Sequence, residues 1–411
     1  MHNDLRAKIM KIGITTSVSQ GGKTGVARWI VSAVEALLPF AAEHEFHLFV
    51  LNGDLPMFEF ARGAMTIHTV SDQCRNPILD VIWHQTVLQR RAAKLGLDVI
   101  HVPSYRRMPA WAPCATLATI HDLAPFRMQG KYDLARMIYG KLALARLTKR
   151  QTAVSAVSPQ TARDIETFCN VPAREVIQAP NGVDRNRFQP GDKTVSFERI
   201  TRKYGVANPY FVYVARIEHP AKNHLNLIRA FEKFRRETGL KRDLILAGAD
   251  WHRAEVVHET AATSPFAQDI HFTGFLPDDD LHHLYRGAEA MVFPSRFEGF
   301  GIPPIEAMAC GCPVVSSNAG ALKDIIGHAA LVIDPENIAS ISSAMNAIAM
   351  QKQLKANLIA KGLQWSARYT WELTAIQLMK AYESAVAMQH EIVGTTGAKG
   401  EMQRGLAVNA G

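Results

Sequence analysis

The stretch Val292-Phe-Pro-Ser-Arg-Phe-Glu298-Gly-Phe-Gly301-Ile-Pro-Pro-Ile-Glu306-Ala-Met-Ala-Cys-Gly-Cys-Pro-Val-Val315 decides the fold. An apolar strand ending near Pro294 and Ser295 runs into a loop carrying Gly299, Phe300 and Gly301. A helix follows, with Pro303 and Pro304 among its first residues. Proline suits that turn, where amide hydrogens lack internal partners. Gly311 and then Pro313 stop the helix, and a second strand starts at Val314. Strand, glycine loop, helix and strand form the repeating unit of a parallel α/β sheet. Glu298 then lies in the loop and Glu306 about one turn inside the helix. A helix amino terminus draws anions and carboxylates accept from hydroxyls, so a phosphate and a sugar or ribose can share this corner. Two solvated acids in any α/β crossover would show the same spacing.

The alternation extends outward in both directions. Strands are expected at 9–15, 45–51, 65–70, 98–103, 115–123, 153–158 and 176–179, then at 210–215, 244–247, 270–275, 290–293, 313–316 and 330–333, with helices between them. One of these helices is expected over 78–95. After the strand at 210–215 stand Arg216 and Lys222, a forked donor and a compact cation that suit two phosphates, or else a solvated charge pair. Gly274 and Phe275 follow another strand end and read first as a turn. In the earlier half, Ser17-Val-Ser-Gln-Gly21-Gly22-Lys-Thr-Gly25 joins a strand to a helix, as an anion cradle would. Gly22-Lys23-Thr24 invites a phosphate-loop reading, but Ser17 stands where that motif needs its first glycine. His121 and Asp122 end the strand at 115–123, at the carboxyl edge where open α/β sheets bind ligands. A histidine there is also an ordinary core residue.

Glu298-x7-Glu306, with Phe-Glu-Gly-Phe-Gly and Glu-Ala-Met-Ala-x-Gly-x-Pro around it, resembles the signature of the retaining glycosyltransferases of family 4, which have the GT-B fold. Val-Ala-Arg216-x5-Lys222-Asn resembles that family's phosphate-gripping motif, with Ala215 where glycine is frequent. The resemblance implies two Rossmann-like doubly wound domains facing across a cleft, with the last helix crossing back to the first domain. The expected boundaries are 1–190 with 372–391 for the acceptor-side domain, 205–371 for the nucleotide-sugar domain, a connector at 185–204 and a disordered tail at 392–411.

The same resemblance implies roles. Arg216 and Lys222 would neutralise the donor diphosphate; Glu306 would take ribose hydroxyls and Glu298, with Gly299, Phe300 and Gly301 beside it, the transferred sugar. Gly274 and Phe275 would lie against the base, Gly21, Gly22 and Gly25 would let the backbone approach donor and acceptor, and His121 would face the sugar. No cofactor and no metal are expected, since side chains and helix ends carry the charge and no Asp-x-Asp motif stands in a suitable loop. The wording around Arg216 and Lys222 further resembles bacterial exopolysaccharide and O-antigen enzymes, implying a hexosyltransferase that moves mannose from GDP-mannose to a saccharide or lipid-linked saccharide. An epimerase or a nucleotide-sugar-binding protein of the same fold would keep the same pocket.

Composition agrees with a large globular enzyme. At 411 residues with 47% apolar content the chain suits two packed cores. The formal charge of +8 fits an anionic nucleotide sugar or membrane surface, and neither zinc-finger spacing nor an RRM-like aromatic signature points to nucleic acid. The scattered cysteines at 74, 114, 169, 310 and 312 are odd in number and argue for a reducing compartment. No stretch reads as a signal peptide or approaches the roughly 20 apolar residues of a span, so a cytoplasmic enzyme is expected. The basic amphipathic stretch 131–150 offers peripheral contact with the inner face of the membrane.

Overall fold

The computed structural model describes residues 9–22, 24–127 and 143–408. Lys23 and residues 131–142 of the basic stretch lie outside them; residues 143–150 are helical. The chain divides into two compact units, 1–180 with 371–411, and 181–370.

In the first unit seven strands form one parallel sheet: β1 Lys11–Thr15, β2 Glu45–Leu51, β3 Thr66–Val70, β4 Val99–Val102, β5 Ala115–Ile120, β6 Ala153–Ala156 and β7 Ile177–Gln178. Their order is β3-β2-β1-β4-β5-β6-β7. Every residue of β4, β5 and β6 is buried, as expected for strands covered on both faces by crossover helices. Gly13 of β1 is needed for close packing, because a Cβ there would stand 2.5 Å from Leu97 Cδ1.

The second unit repeats the plan with β8 Tyr210–Val214, β9 Asp243–Ala247, β10 Ile270–Gly274, β11 Ala290–Phe293, β12 Val314–Ser317 and β13 Ala330–Ile333. They run parallel in the order β10-β9-β8-β11-β12-β13. The chain winds from β8 to one side and from β11 to the other, so the β8–β11 boundary is the topological switch point, where such sheets open a crevice at the carboxyl ends.

Four expectations are corrected. The helix expected over 78–95 is two, Pro77–Gln85 and Val87–Leu95, broken at Thr86, whose hydroxyl bonds back to the Ile82 carbonyl at 2.7 Å. The connector 185–204 is largely the helix Lys193–Tyr204, capped by Asp192 and Gly205 and held in the second unit because Arg199, Lys203 and Tyr204 all reach Asp280. Its polar composition reflects those partners rather than a linker. Residues 392–408, assigned by composition to a disordered tail, continue the last helix, Trp371–Val408. Residues 25–42 do have the length and apolarity of a marginal span, yet the helix Gly25–Leu37 buries Trp29, Ile30, Val34 and Leu37 in the first unit's core.

Helix Trp371–Val408 belongs to the first unit. Its Ala375, Leu378, Tyr382 and Ala385 are buried, and it packs on helix Gly25–Leu37 and on β5 and β6. The Tyr382 hydroxyl meets His101 Nδ1 at 2.9 Å, His101 Nε2 meets the Thr119 hydroxyl at 2.7 Å, and Thr119 meets Ser155 at 2.7 Å. This buried chain of partners ties the helix to β4, β5 and β6, and burial lowers the His101 pKa to about 3, keeping the imidazole neutral.

Candidate active site

The second unit gathers its candidate groups at the switch point. Arg216 and Lys222 follow β8 and Glu298 follows β11, so adjacent strand ends deliver them to one edge. Lys222 Nζ donates to Glu298 Oε1 at 2.7 Å, with both side chains about five-sixths covered, at 16% and 15% exposure. The backbone beneath is fixed. Buried Tyr213 donates its hydroxyl to the Lys222 carbonyl at 2.8 Å and meets the Ser295 hydroxyl at 2.8 Å. The Arg296 amide donates to the Ala221 carbonyl at 3.0 Å, joining the two loops directly. Asn223, in the left-handed conformation with φ 60°, sends its amide to the carbonyls of Pro294 and Pro335, and helix His224–Thr238 starts from it.

Glu298 is also held from a third side. The Ala321 amide donates to the Glu298 carbonyl at 2.9 Å. At Gly320, φ is +61° and a Cβ would lie 2.6 Å from that same carbonyl oxygen, so only glycine lets the loop after β12 come so close. Gly320 and Ala321 were not anticipated. Their signal was present, because Asn318-Ala-Gly-Ala321 is a glycine turn at a parallel strand's carboxyl end, the same pattern that drew attention to Gly299 and Gly301.

Glu306 sits inside helix Ile302–Ala309 and is 5% exposed. Fully buried Tyr285 donates to Glu306 Oε2 at 3.0 Å. Glu298 thus pairs with the Lys222 ammonium, and Glu306 accepts from the Tyr285 phenol. Gly301 opens the helix at φ +97°, and a Cβ there would meet Leu322 at 2.6 Å, so its requirement is packing as well as approach. Phe300 is turned inward, buried edge-on against Tyr369 at 5.7 Å, leaving its backbone rather than its ring for a ligand.

Arg216 is not gathered into the Lys222–Glu298 pair. Its guanidinium meets Glu218 at 3.2 Å and lies 5.0 Å over the ring of Trp251. Trp251, exposed in the loop after β9, was missed by sequence reading, which passed over Gly248-Ala-Asp-Trp251 as a connection. Gly248 makes the approach of β8 and β9 feasible, since a Cβ there would stand 2.0 Å from the Ala215 carbonyl oxygen. Gly274, at φ +66° with open space around it, and exposed Phe275 complete the edge at β10. The run Asp278-Asp-Asp280 opens a helix, and buried Asp280 is taken by Arg199, Lys203 and Tyr204. Among the described residues no group of three His, Cys, Asp or Glu is arranged to hold a metal ion.

In the first unit the glycine segment after β1 is a turn of 3-10 helix, Ser17–Gly22, with Gly21 and Gly22 at φ +73° and +82°. Gly25 opens helix Gly25–Leu37, and the Thr24 hydroxyl caps it by accepting from the Ala27 amide. Two buried carboxylates clamp the turn: Ser17 donates to Asp80 at 3.0 Å and Ser19 to Asp54, with Arg107 and Arg75 balancing the respective charges. Nothing in the local sequence flags Asp54 or Asp80, because both contacts join residues more than 30 positions apart. His121 follows β5 with its ring edge-on to Trp29 at 4.9 Å and its Nε2 buried without a hydrogen-bond partner among the described residues. Burial lowers its pKa to about 4, against a hydrogen bond with the Pro103 backbone that raises it, so the ring is neutral at pH 7.

Two doubly wound parallel sheets, each with its candidate residues on the carboxyl edge, define a chain of the GT-B class. The chain belongs to the glycosyltransferases: residues 23–187 match Glycosyltransferase Family 4 and residues 196–365 match Glycosyl transferases group 1. It is 28% identical over 268 residues to the O-antigen chain mannosyltransferase B of Escherichia coli, covering 65% of this chain and 70% of that one. It is 28% identical over 269 residues to the serotype-specific mannosyltransferase WbdA of the same organism, of whose length it spans only 32%. In fold it is similar to sucrose-phosphate synthase from Thermosynechococcus elongatus (TM-score 0.75, 19% identity, 92% of this chain and 99% of that one). Anabaena HepE in complex with UDP and glucose is also similar (TM-score 0.72, 18% identity, 91% of this chain and 100% of that one).

Proposed function

We propose that the chain moves mannose from GDP-mannose to a saccharide or lipid-linked saccharide acceptor in cell-surface polysaccharide synthesis, with retention at the anomeric carbon. The observation that carries this reading is the Lys222–Glu298 pair at the switch point of the second sheet, with Glu306 held on the same edge. The mannosyltransferases among the relatives supply the choice of sugar.

In this reading Lys222 and Arg216 take the diphosphate, Glu306 accepts from the ribose hydroxyls, and Glu298 accepts from hydroxyls of the mannose. The acceptor oxygen forms its bond to the anomeric carbon as the bond to the diphosphate breaks, and a departing phosphate oxygen takes the acceptor's proton. Growing charge on the leaving group is met by cations already in place, which is where preorganisation lowers a barrier. No divalent metal and no cofactor enter the scheme, and the enzyme works in the cytoplasm with peripheral contact to the inner membrane face.

The test is a screen of GDP-, UDP- and ADP-hexoses by thermal stabilisation, followed by sugar transfer assays with and without a chelator. Stabilisation by GDP-mannose and chelator-resistant product support the proposal. Stabilisation by UDP- or ADP-sugars alone overturns the donor, and sugar rearrangement without any acceptor would favour an epimerase.

A further inference from the structure

Helix Pro77–Gln85 of the first unit is amphipathic the wrong way round. Asp80, Trp83 and His84 point inward and are buried, while Ile78, Leu79, Val81 and Ile82 are exposed, at 36% to 70%. The orientation is fixed by the polar side: Asp80 takes Ser17, Arg107 and His84, so rotating the helix to hide the aliphatic residues would strip a buried carboxylate of its partners. Four adjacent aliphatic side chains left in water mark an interaction surface.

The surroundings say what covers it. Across residues 73–97 the only carboxylate is buried Asp80, and exposed Asp72 just before them is paired with Arg75. Exposed Arg90 and Lys94 follow on the next helix, Val87–Leu95, and Arg106 is also exposed. Gln85 donates to the Met108 carbonyl at 3.0 Å and accepts from the Ala110 amide at 2.8 Å, which brings exposed Trp111 to the end of the aliphatic helix. A second copy packed symmetrically on this patch would set cations against cations. Four aliphatic residues also supply far less than the roughly 800 Å² per partner of a stable interface. Aliphatic residues and a tryptophan flanked by an excess of exposed cations are the chemistry of the boundary layer of an anionic bilayer.

We propose that helix Pro77–Gln85, with Trp111 and the flanking cations, docks the chain on an anionic lipid bilayer, its aliphatic side chains entering the headgroup–acyl boundary. Through the Asp80–Ser17 hydrogen bond the docked helix is joined to the glycine turn after β1, so the membrane contact and the first unit's candidate site share one rigid support. The proposal gives the peripheral contact of the preceding section a defined surface, distinct from residues 131–150, and it stands apart from any assignment of the donor.

The experiment is co-sedimentation of the full chain with phosphatidylglycerol-containing vesicles and with pure phosphatidylcholine vesicles, at low and high salt. Wild type is expected to bind the anionic vesicles, less so at high salt, and to bind neutral vesicles weakly. The double substitution Ile78→Gln with Ile82→Gln should weaken anionic binding at least about tenfold with an unchanged melting temperature. Arg90→Glu with Lys94→Glu should abolish the preference for anionic lipid. Undiminished binding by the glutamine variant, or no binding by wild type, overturns the proposal. So does sedimentation showing a wild-type dimer that the glutamine variant splits, which would assign the face to a second copy. Because vesicle binding involves no sugar, its outcome is independent of whether GDP-mannose proves to be the donor.

Discussion

Replacing Tyr285 with phenylalanine removes one oxygen from a fully buried ring and with it the 3.0 Å hydrogen bond to Glu306 Oε2. A hydrogen bond to a charged group is worth about 1.5–3 kcal/mol, and part of that loss appears as stability because the carboxylate is 5% exposed and loses a buried donor. If about half of it is felt by the ligand, the donor KM rises roughly 4- to 12-fold. The remainder lowers the melting temperature by a few degrees. Ribose hydroxyls do not change between bound substrate and transition state, so kcat should stay within about twofold. The measurement is initial rate against donor concentration, paired with the binding ratio of GDP to 2′-deoxy-GDP. Wild type should discriminate between the two nucleotides, and the phenylalanine variant should discriminate less. A fall in kcat at constant KM, or an unchanged ratio, would show that Glu306 does not read the ribose.

Lys222→Ala removes a cation 2.7 Å from Glu298 and leaves that carboxylate unpaired; kcat should fall by about 10²-fold or more, as for loss of a charge stabiliser, while an enzyme retaining most of its activity would refute the role. Gly320→Ala should cost about 1–3 kcal/mol and reduce turnover, because a methyl at φ +61° would press on the Glu298 carbonyl; a crystal structure with the loop after β12 unmoved and full activity would count against it. For His121, burial puts the folded pKa at about 4 against the ordinary 6.5, so between these values the unfolded chain binds more protons. Stability should therefore be full above pH 6.5 and decline as pH falls toward 4. Melting temperatures of His121→Asn should decline less steeply over that window, and parallel curves for the two proteins would dismiss the buried, neutral imidazole.

Period and punctuation in the chain were enough to place the strands and their parallel, doubly wound arrangement, because β-strands buried on both faces read as apolar runs and helices as spaced stripes. The positions of Arg216, Lys222, Glu298 and Glu306 were legible for the same reason: each stands just beyond a strand end or inside the helix that follows. What stayed hidden depends on contacts distant in sequence. Tyr285 lies 21 positions from the acid it orients, and Asp80 lies 63 from the serine it clamps. Neither distance has a local signature. The inverted face of helix Pro77–Gln85 was invisible for a related reason, since Ile-Leu-Asp-Val-Ile-Trp reads as a core stripe until Arg107 and Ser17 claim the aspartate.

The pairing of Lys222 with Glu298 bears on the order in which ligand groups are recognised. Lys222 Nζ donates to Glu298 Oε1, so the ammonium and that carboxylate oxygen occupy one another. An arriving diphosphate carries more negative charge than one carboxylate and competes for the same ammonium. In the proposed reading each ligand group then frees its own recognition partner: phosphate draws Lys222 away, and the released Glu298 oxygen becomes an acceptor for a sugar hydroxyl. In the same reading sugar recognition waits on the phosphates, so a free monosaccharide should find Glu298 occupied. Mannose alone should therefore protect the enzyme from thermal unfolding far less than mannose added together with GDP, whereas equal protection in the two cases would separate the ion pair from sugar binding.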